Sequence, residues 1–352
     1  MSASGPAAAT FVFPGAYEEI DALYQERGWT DGLPIVPPTE AAVQAFLAET
    51  DRDPRAVVGV LPPRQGEATV ERIAVNAVMA GCRPEYFPVV LAGIEALADP
   101  DFNLDSVQAT THPVAPLLVV NGPIVREIGL NAGYNAFGQG VRANVTIGRA
   151  VRLVLMNVGG GLPGTGDRST QGSPAKIAYC VAENEAESPW EPLHVEAGFP
   201  ADASVVTAFG CEAPHNIQDH YSNTARGVLL TVAGAMGQAG SNNLLGRGWP
   251  LLALGPEHAA TIAREGFTKR QVKEFLFEHA RFPFARLGRE YQAQQVERHR
   301  VVDAPDTMVP IVRAPEDIGV IVVGGAGKHS SWQPTFGDGT RPTRRRIAPR
   351  RR

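Results

Sequence analysis

The feature that most limits what this chain can become is the alternation of short apolar runs with stretches of helical periodicity. "PLLVVNGP", "SVVTAFGC", "PLLAL" and "DIGVIVV" are each too short for a stable helix, and Gly, Pro or polar residues bound them. That is the signature of buried strands. Between them, "TVERIAVNAVMAG" places Val70, Ile73, Ala74, Ala77 and Val78 on one helical stripe. "TEAAVQAFLAE" opens on Thr39 as an N-cap, and "TKRQVKEFLFEHARF" opens on Thr268 with Gln271 at capping-box spacing. The glycine run after "VRANVTIGRAVRLVLMNV" ends a further helix.

This alternation predicts an α/β fold with a mixed or largely parallel sheet and flanking helices, divisible into two subdomains. The expected organisation is a flexible N-terminus at 1–14, an α/β subdomain with Gly-rich loops at 15–195, a second α/β subdomain at 196–335 and an Arg-rich tail at 336–352. No fixed-period internal repeat is visible.

The formal charge of −5 hides an asymmetry, because seven arginines lie in the last twelve residues. Without those seven charges the body stands near −12. An acidic body excludes a nucleic-acid binder, which presents a basic face. The tail reads as a solvated end, with an anion clamp or a subunit contact as alternatives. No run approaches the roughly 18 apolar residues of a membrane helix, and the N-terminus lacks the basic start of a signal peptide. Cys82, Cys180 and Cys211 form no C-x-x-C, which fits reduced thiols and a cytoplasmic location.

Four constellations could carry chemistry. The first is "VIVVGGAGKHSS", residues Val320 to Ser331. It fails as a Walker A loop, since Val322 stands where the first glycine belongs and His329 where Ser or Thr belongs. What remains is an anion-binding nest of Gly324, Gly325 and Gly327 at a strand end, with Lys328, His329 and Ser330 supplying charge and donors, or a plain surface turn. The second, "GTGDRSTQGSPAK", offers Ser173 and Lys176 at S-x-x-K spacing for a nucleophile, Asp167, Arg168 and Lys176 around an anion, or an ion pair stapling a long loop.

The third, "CEAPHNIQDHYSN", gathers Glu212, His215, Asp219 and His220 within ten residues of Cys211. His215, His220 and Glu212 suit a divalent metal such as zinc, iron or manganese. His220 with Asp219 suits acid/base work, and structural hydrogen bonding is the third alternative. The fourth, "NAFGQGVRANVTIGRA", brings Arg142, Asn144, Arg149 and Arg152 to a helix, for carboxylate binding or for surface ion pairs. Asp31 and His112 sit in stiff, proline-rich segments.

"TDGLPIVPPTE", "AVNAVMAGCRPEYFPVV", "GRAVRLVLMNVGG", "ENEAESPWEPLHVE" and "GGAGKHSSW" together resemble an uncharacterised bacterial family associated with small proteins bearing a UGSC or CGSC selenocysteine/cysteine motif. The resemblance runs roughly from Thr30 to Trp332 and brings no established activity. This chain has no C-G-S-C, so any thiol or selenol chemistry it implies would come from a small Cys- or Sec-containing partner.

The sequence therefore predicts an enzyme, hydrolytic or eliminative, acting on a small anionic or amide-containing metabolite. Lys328, Arg168 and Lys176 would hold the anion, and His220 backed by Asp219 would move protons, directly or through a metal. The alternatives are a substrate-presenting subunit of a thiol- or selenol-dependent reductase and a non-catalytic metabolite-binding protein. The very apolar "TARGVLLTVAGAMG" predicts a helix buried in a core or, failing that, in a homo-oligomer interface.

Overall fold

The structure is a computed structural model that describes residues 15–349; the expected flexible N-terminus, 1–14, lies outside the described residues. Twelve strands are described. A hairpin of β1 (Val57–Leu61) and β2 (Gly66–Thr69) stands apart. One four-stranded sheet runs β12–β5–β3–β4, from β3 (Ala115–Asn121), β4 (Cys180–Ala182), β5 (Val205–Cys211) and β12 (Thr343–Arg346). The other runs β10–β7–β11–β6, from β6 (His215–Gln218), β7 (Leu251–Leu254), β10 (Gly319–Val322) and β11 (His329–Gln333). A second hairpin joins β8 (Arg281–Pro283) and β9 (Met308–Pro310).

Side-chain alternation in the central strands explains the layering. Leu117 and Val119 of β3, Phe209 of β5, Leu251 and Ala253 of β7 and Ile321 of β10 form one buried cluster between the two sheets. Their neighbours Leu118, Val120, Val206 and Ala208 face outward into a core with helices Val70–Met79, Phe87–Leu97 and Arg142–Asn157. Leu252, Leu254, Val320 and Val322 do the same toward helices Ala225–Met236, Pro256–Arg264 and Lys269–His279. The layers are therefore helices, sheet, sheet, helices. Strands apolar on both faces are what two covered faces demand. The sequence-predicted caps form: Thr39 accepts from the Ala42 N–H, and Thr268 and Gln271 close a capping box. Ala225–Met236 buries its apolar stripe in the second core.

Both large sheets are mixed, and antiparallel pairing outweighs parallel, correcting the largely parallel alternative. Only β3–β4 and β7–β10 are parallel among the pairs described; β3–β5, β5–β12, β7–β11 and β6–β11 are antiparallel. Strand pairing also crosses residue 195, since β5 and β12 complete the sheet that β3 and β4 begin.

The two sheets repeat one plan. In the series β3, β4, β5, β6 and again in β7, β10, β11, β12, the second strand lies parallel to the first and the third antiparallel on its other side. The fourth strand leaves for the other sheet, where it pairs with the other series' third strand. The departing segments pair with each other: Glu212 N–H donates to Pro334 O at 2.7 Å and Phe336 N–H to Gly210 O at 3.2 Å. "PLLVVNGP" (116–123) and "PLLALGP" (250–256) hold equivalent places. A Cβ at Gly122 would lie 2.2 Å from the Ala203 carbonyl oxygen, and one at Gly255 2.2 Å from that of His329, each at the start of a third strand. Unequal insertions between the equivalent strands keep this repeat from showing a fixed period.

The Arg-rich segment is not a solvated tail over its described part. β12 pairs with β5, Ile347 is buried, and Arg345 bridges Asp99 at 2.8 Å. Three of the arginines, 350–352, lie outside the described residues. A chain truncated after Thr340 is expected to melt roughly 5–10 °C lower and to scatter light on heating, because the β5 edge is bared. A melting temperature equal to that of the full chain, measured by calorimetry, would show β12 to be dispensable.

Candidate functional site

The glycine-rich loop 323–328 joins β10 to β11 across the end of β7, where Val323 N–H reaches Leu254 O at 2.9 Å. Gly324 and Gly327 adopt positive φ, 109° and 139°, which the tight path requires. Gly325 is packed under the Tyr134 ring. Two of the loop's N–H groups are already spoken for: Gly324 donates to Ala132 O at 2.8 Å, and Gly327 to Glu257 Oε1 at 2.8 Å. The predicted anion nest at Gly327 is thus filled by the protein's own carboxylate, from the first turn of helix Pro256–Arg264.

Pairing of β6 with β11 sets His220, just past one strand, beside His329 at the start of the other. Their Nε2 atoms are 3.2 Å apart, with the rings edge-on at 90°. His329 Nδ1 lies 2.9 Å from Asn216 Oδ1, an acceptor, so Nδ1 carries the proton and donates. In the neutral pair, His329 Nε2 is then the acceptor and His220 Nε2–H the donor. That leaves the His220 Nδ1 lone pair unused on an exposed ring. Lys328 Nζ donates to the His220 carbonyl at 3.1 Å, and Tyr221 beside it is 88% exposed.

Asp219 does not back His220, which corrects the predicted dyad. Its carboxylate accepts from Ser222 N–H at 2.9 Å, Tyr221 N–H at 3.2 Å and Thr231 Oγ1–H at 2.7 Å. Burial alone would raise its pKa, but these donors outweigh it and hold the group down at about 2. Asp219 is a permanently ionised turn cap. Ser330 is likewise scaffold: buried, it accepts from Gly255 N–H at 3.0 Å and bonds His258 Nδ1 at 2.8 Å.

The predicted metal triad is not assembled. Glu212 turns to His112, with Oε1 2.7 Å from Nε2, while His215 stands over the Trp332 ring. Among the described residues no three His, Cys, Asp or Glu side chains are grouped to hold a metal ion. The Ser173–Lys176 dyad is not formed either. Lys176 Nζ bonds Asp167 Oδ2 at 2.7 Å, and the buried Ser173 hydroxyl has no partner. Burial lowers the Lys176 pKa, Asp167 opposes that, and the neighbouring Arg152 adds to it. Arg168 is exposed beside this pair. Ser169 ties the loop to His112, accepting nothing from it but donating Oγ–H to its carbonyl at 3.0 Å.

The fourth constellation is a clamp. Arg149 forks onto Asp31 with two contacts of 2.8 Å, Arg142 holds the Gly81 carbonyl at 2.8 Å, and Arg152 holds that of Lys176 at 2.7 Å. Asn144 is buried and bonds both the N–H and the carbonyl of Asn131.

Sequence reasoning missed one buried cluster, at the carboxyl ends of β3 and β4. Asn121 Nδ2 donates to Glu183 Oε2 at 2.7 Å and to Glu185 Oε1 at 3.0 Å, and His194 Nδ1 lies 3.9 Å from Glu185. Glu183 Oε1, Asn121 Oδ1 and His194 Nδ1 are buried without hydrogen-bond partners. The only sequence signal was a glutamate following "YCVA" without a break. Burial pushes the Glu183 carboxyl from 4.5 up to about 7, against the pull of Lys269. The folded chain therefore keeps this proton longer than the unfolded chain does. The resulting stability is complete below about 4.5 and is lost as pH rises through about 7, by up to about 3 kcal/mol. Glu183→Gln cannot ionise, so its urea-unfolding stability is expected to fall less than the wild type's between about pH 5 and about pH 8. Equal losses in both proteins would place the penalty on another group.

No family model matches the chain, and no curated protein shows significant similarity to it.

Proposed function

We propose that the chain is an enzyme performing general acid/base chemistry, hydrolytic or eliminative, on a small anionic or amide-containing metabolite. The observation that carries this reading is the His220–His329 contact of 3.2 Å, with His329 oriented by Asn216. The hydrogen-bond order leaves His220 Nδ1 as the base. When it takes a proton, the positive charge is shared with His329 through the Nε2–H bond, and the same proton is then available to a leaving group. Lys328 spends one of its three N–H donors on the His220 carbonyl, which leaves two to face an anionic substrate. Asp219, held by its own turn, has no part in proton transfer in this reading.

The test is turnover against a panel of small amides, esters, phosphate esters and β-substituted acids. His220→Ala and His329→Ala are each expected to lower kcat/KM by about 10²-fold or more. Lys328→Ala is expected to raise KM for anionic members of the panel, and Asp219→Asn to lower stability while sparing kcat. Undiminished turnover in the doubly substituted His220→Ala, His329→Ala protein would end this reading.

A second reading is a cytoplasmic substrate-presenting subunit for a thiol- or selenol-bearing partner, in line with the family resemblance. The cysteines favour it over thiol chemistry within this chain. All three are buried, and burial raises each thiol, Cys82 to about 12, so none supplies a thiolate near neutral pH.

A further inference from the structure

Between β12, at the edge of the first sheet, and the start of β10 lies a cleft of about 610 Å³. That is the size of a small-molecule site. Phe209, Leu193, Ile318 and Trp249 give it apolar walls, and Lys273 and Arg344 give it charge. It lies apart from every residue placed in the imidazole pair.

The charges beside this cleft do not balance. Lys269 and Lys273, 2% and 8% exposed, both bind the single carboxylate of Glu196, Lys269 at 3.2 Å from Oε2 and Lys273 on Oε1. Arg344 is a third cation there; Glu196 again favours its charged form, and no ion pair joins them among the described residues. Its Nε–H is buried with no acceptor. Directly opposite Arg344 in the β5–β12 register stands Thr207, also buried, with its hydroxyl unpartnered. Glu183, the other carboxyl that feels Lys269, is driven toward its neutral form by burial. On the far wall, Asp317 is occupied by the N–H groups of Arg313 and Ala314, at 3.2 and 3.0 Å. The exposed lining charges cancel, Asp101 and Glu316 against Arg270 and Arg341. Lys269, Lys273 and Arg344 against Glu196 and the half-buried Asp317 leave one positive charge in excess, where water reaches poorly. A planar guanidinium with a free Nε–H presents the fork that a carboxylate accepts in two places.

We propose that this cleft binds a small organic carboxylate, its charge on Arg344 beside Lys273 and its apolar body against Phe209, Ile318 and Trp249. The proposal stands independently of the acid/base reading. An aryl or branched aliphatic acid fits both halves of the wall, whereas a bare inorganic anion leaves the apolar half empty.

The probe is phenylacetate, compared with its uncharged isostere phenylacetamide and with inorganic phosphate, on the full-length protein by thermal shift and tryptophan fluorescence. Phenylacetate is expected to raise the melting temperature saturably, while the amide and phosphate leave it unchanged at the same concentration. Arg344→Gln is expected to weaken phenylacetate binding by at least about tenfold, and Arg346→Gln, on an exposed residue of the same strand, to leave it unchanged. Should Arg344→Gln fail to fold, Arg344→Lys keeps the charge and loses the fork, and the same weakening is expected. Equal responses to acid and amide, a response to phosphate alone, no saturable response, or full affinity in a folded Arg344 variant would each overturn the proposal.

Discussion

Everything in this molecule depends on the short antiparallel contact between residues 210–212 and 334–336. There the two chain segments pass each other on their way to opposite sheets. Each sheet gains its fourth strand only because the chain crosses at this point. The apolar layer between the sheets is sealed by the same event, since Cys211 belongs to that layer and pairs with Thr335. An unpartnered polar group in such a layer is costly, which accounts for the near-continuous apolar runs of β3, β5, β7 and β10.

The crossing also places the two unusual polar regions. β6 and β11 are polar on the face carrying Asn216 and His329, and this is where the imidazoles meet. β12 brings arginines to the edge of the other sheet, and this is where cation excess and cleft coincide. Each polar region forms where an exchanged strand, β6 or β12, meets the third strand of the other series. Central strands are committed to packing on both faces; an edge strand has one flank free for a ligand.

Much of the framework was legible in the residues. Apolar runs bounded by Gly and Pro marked the central strands, and Thr39 and Thr268 marked helix starts, because local hydrogen bonds and periodicity decide both. The exchanged strands were not legible. "HNIQ" and "TRRR" carry no apolar alternation, and their strand character comes from partners more than a hundred residues away; "HSSWQ", which stays in its own sheet beside β7, is as hard to read. The same range limit misdirected the site. Asp219 is adjacent to His220 in sequence, yet its carboxylate is consumed by the turn that follows it. Glu212 finds His112, a hundred residues upstream, and His220 finds His329, across a strand pair. Residue types were read correctly as polar and titratable, but proximity along the chain was a poor guide to which of them face one another.

The exchange of strands also has a meaning for synthesis. The first sheet holds three strands once residue 211 has been made, and it waits for residues 343–346, more than a hundred residues further along, to cover the open edge of β5. Until then a nascent chain displays an unpaired edge beside an incompletely covered apolar layer, which is the condition that attracts chaperones and promotes pairing with the wrong chain. The arginines of β12 and its neighbours arrive at that moment. Completion of the fold, and the loading of positive charge onto the edge that had been vulnerable, are a single late step.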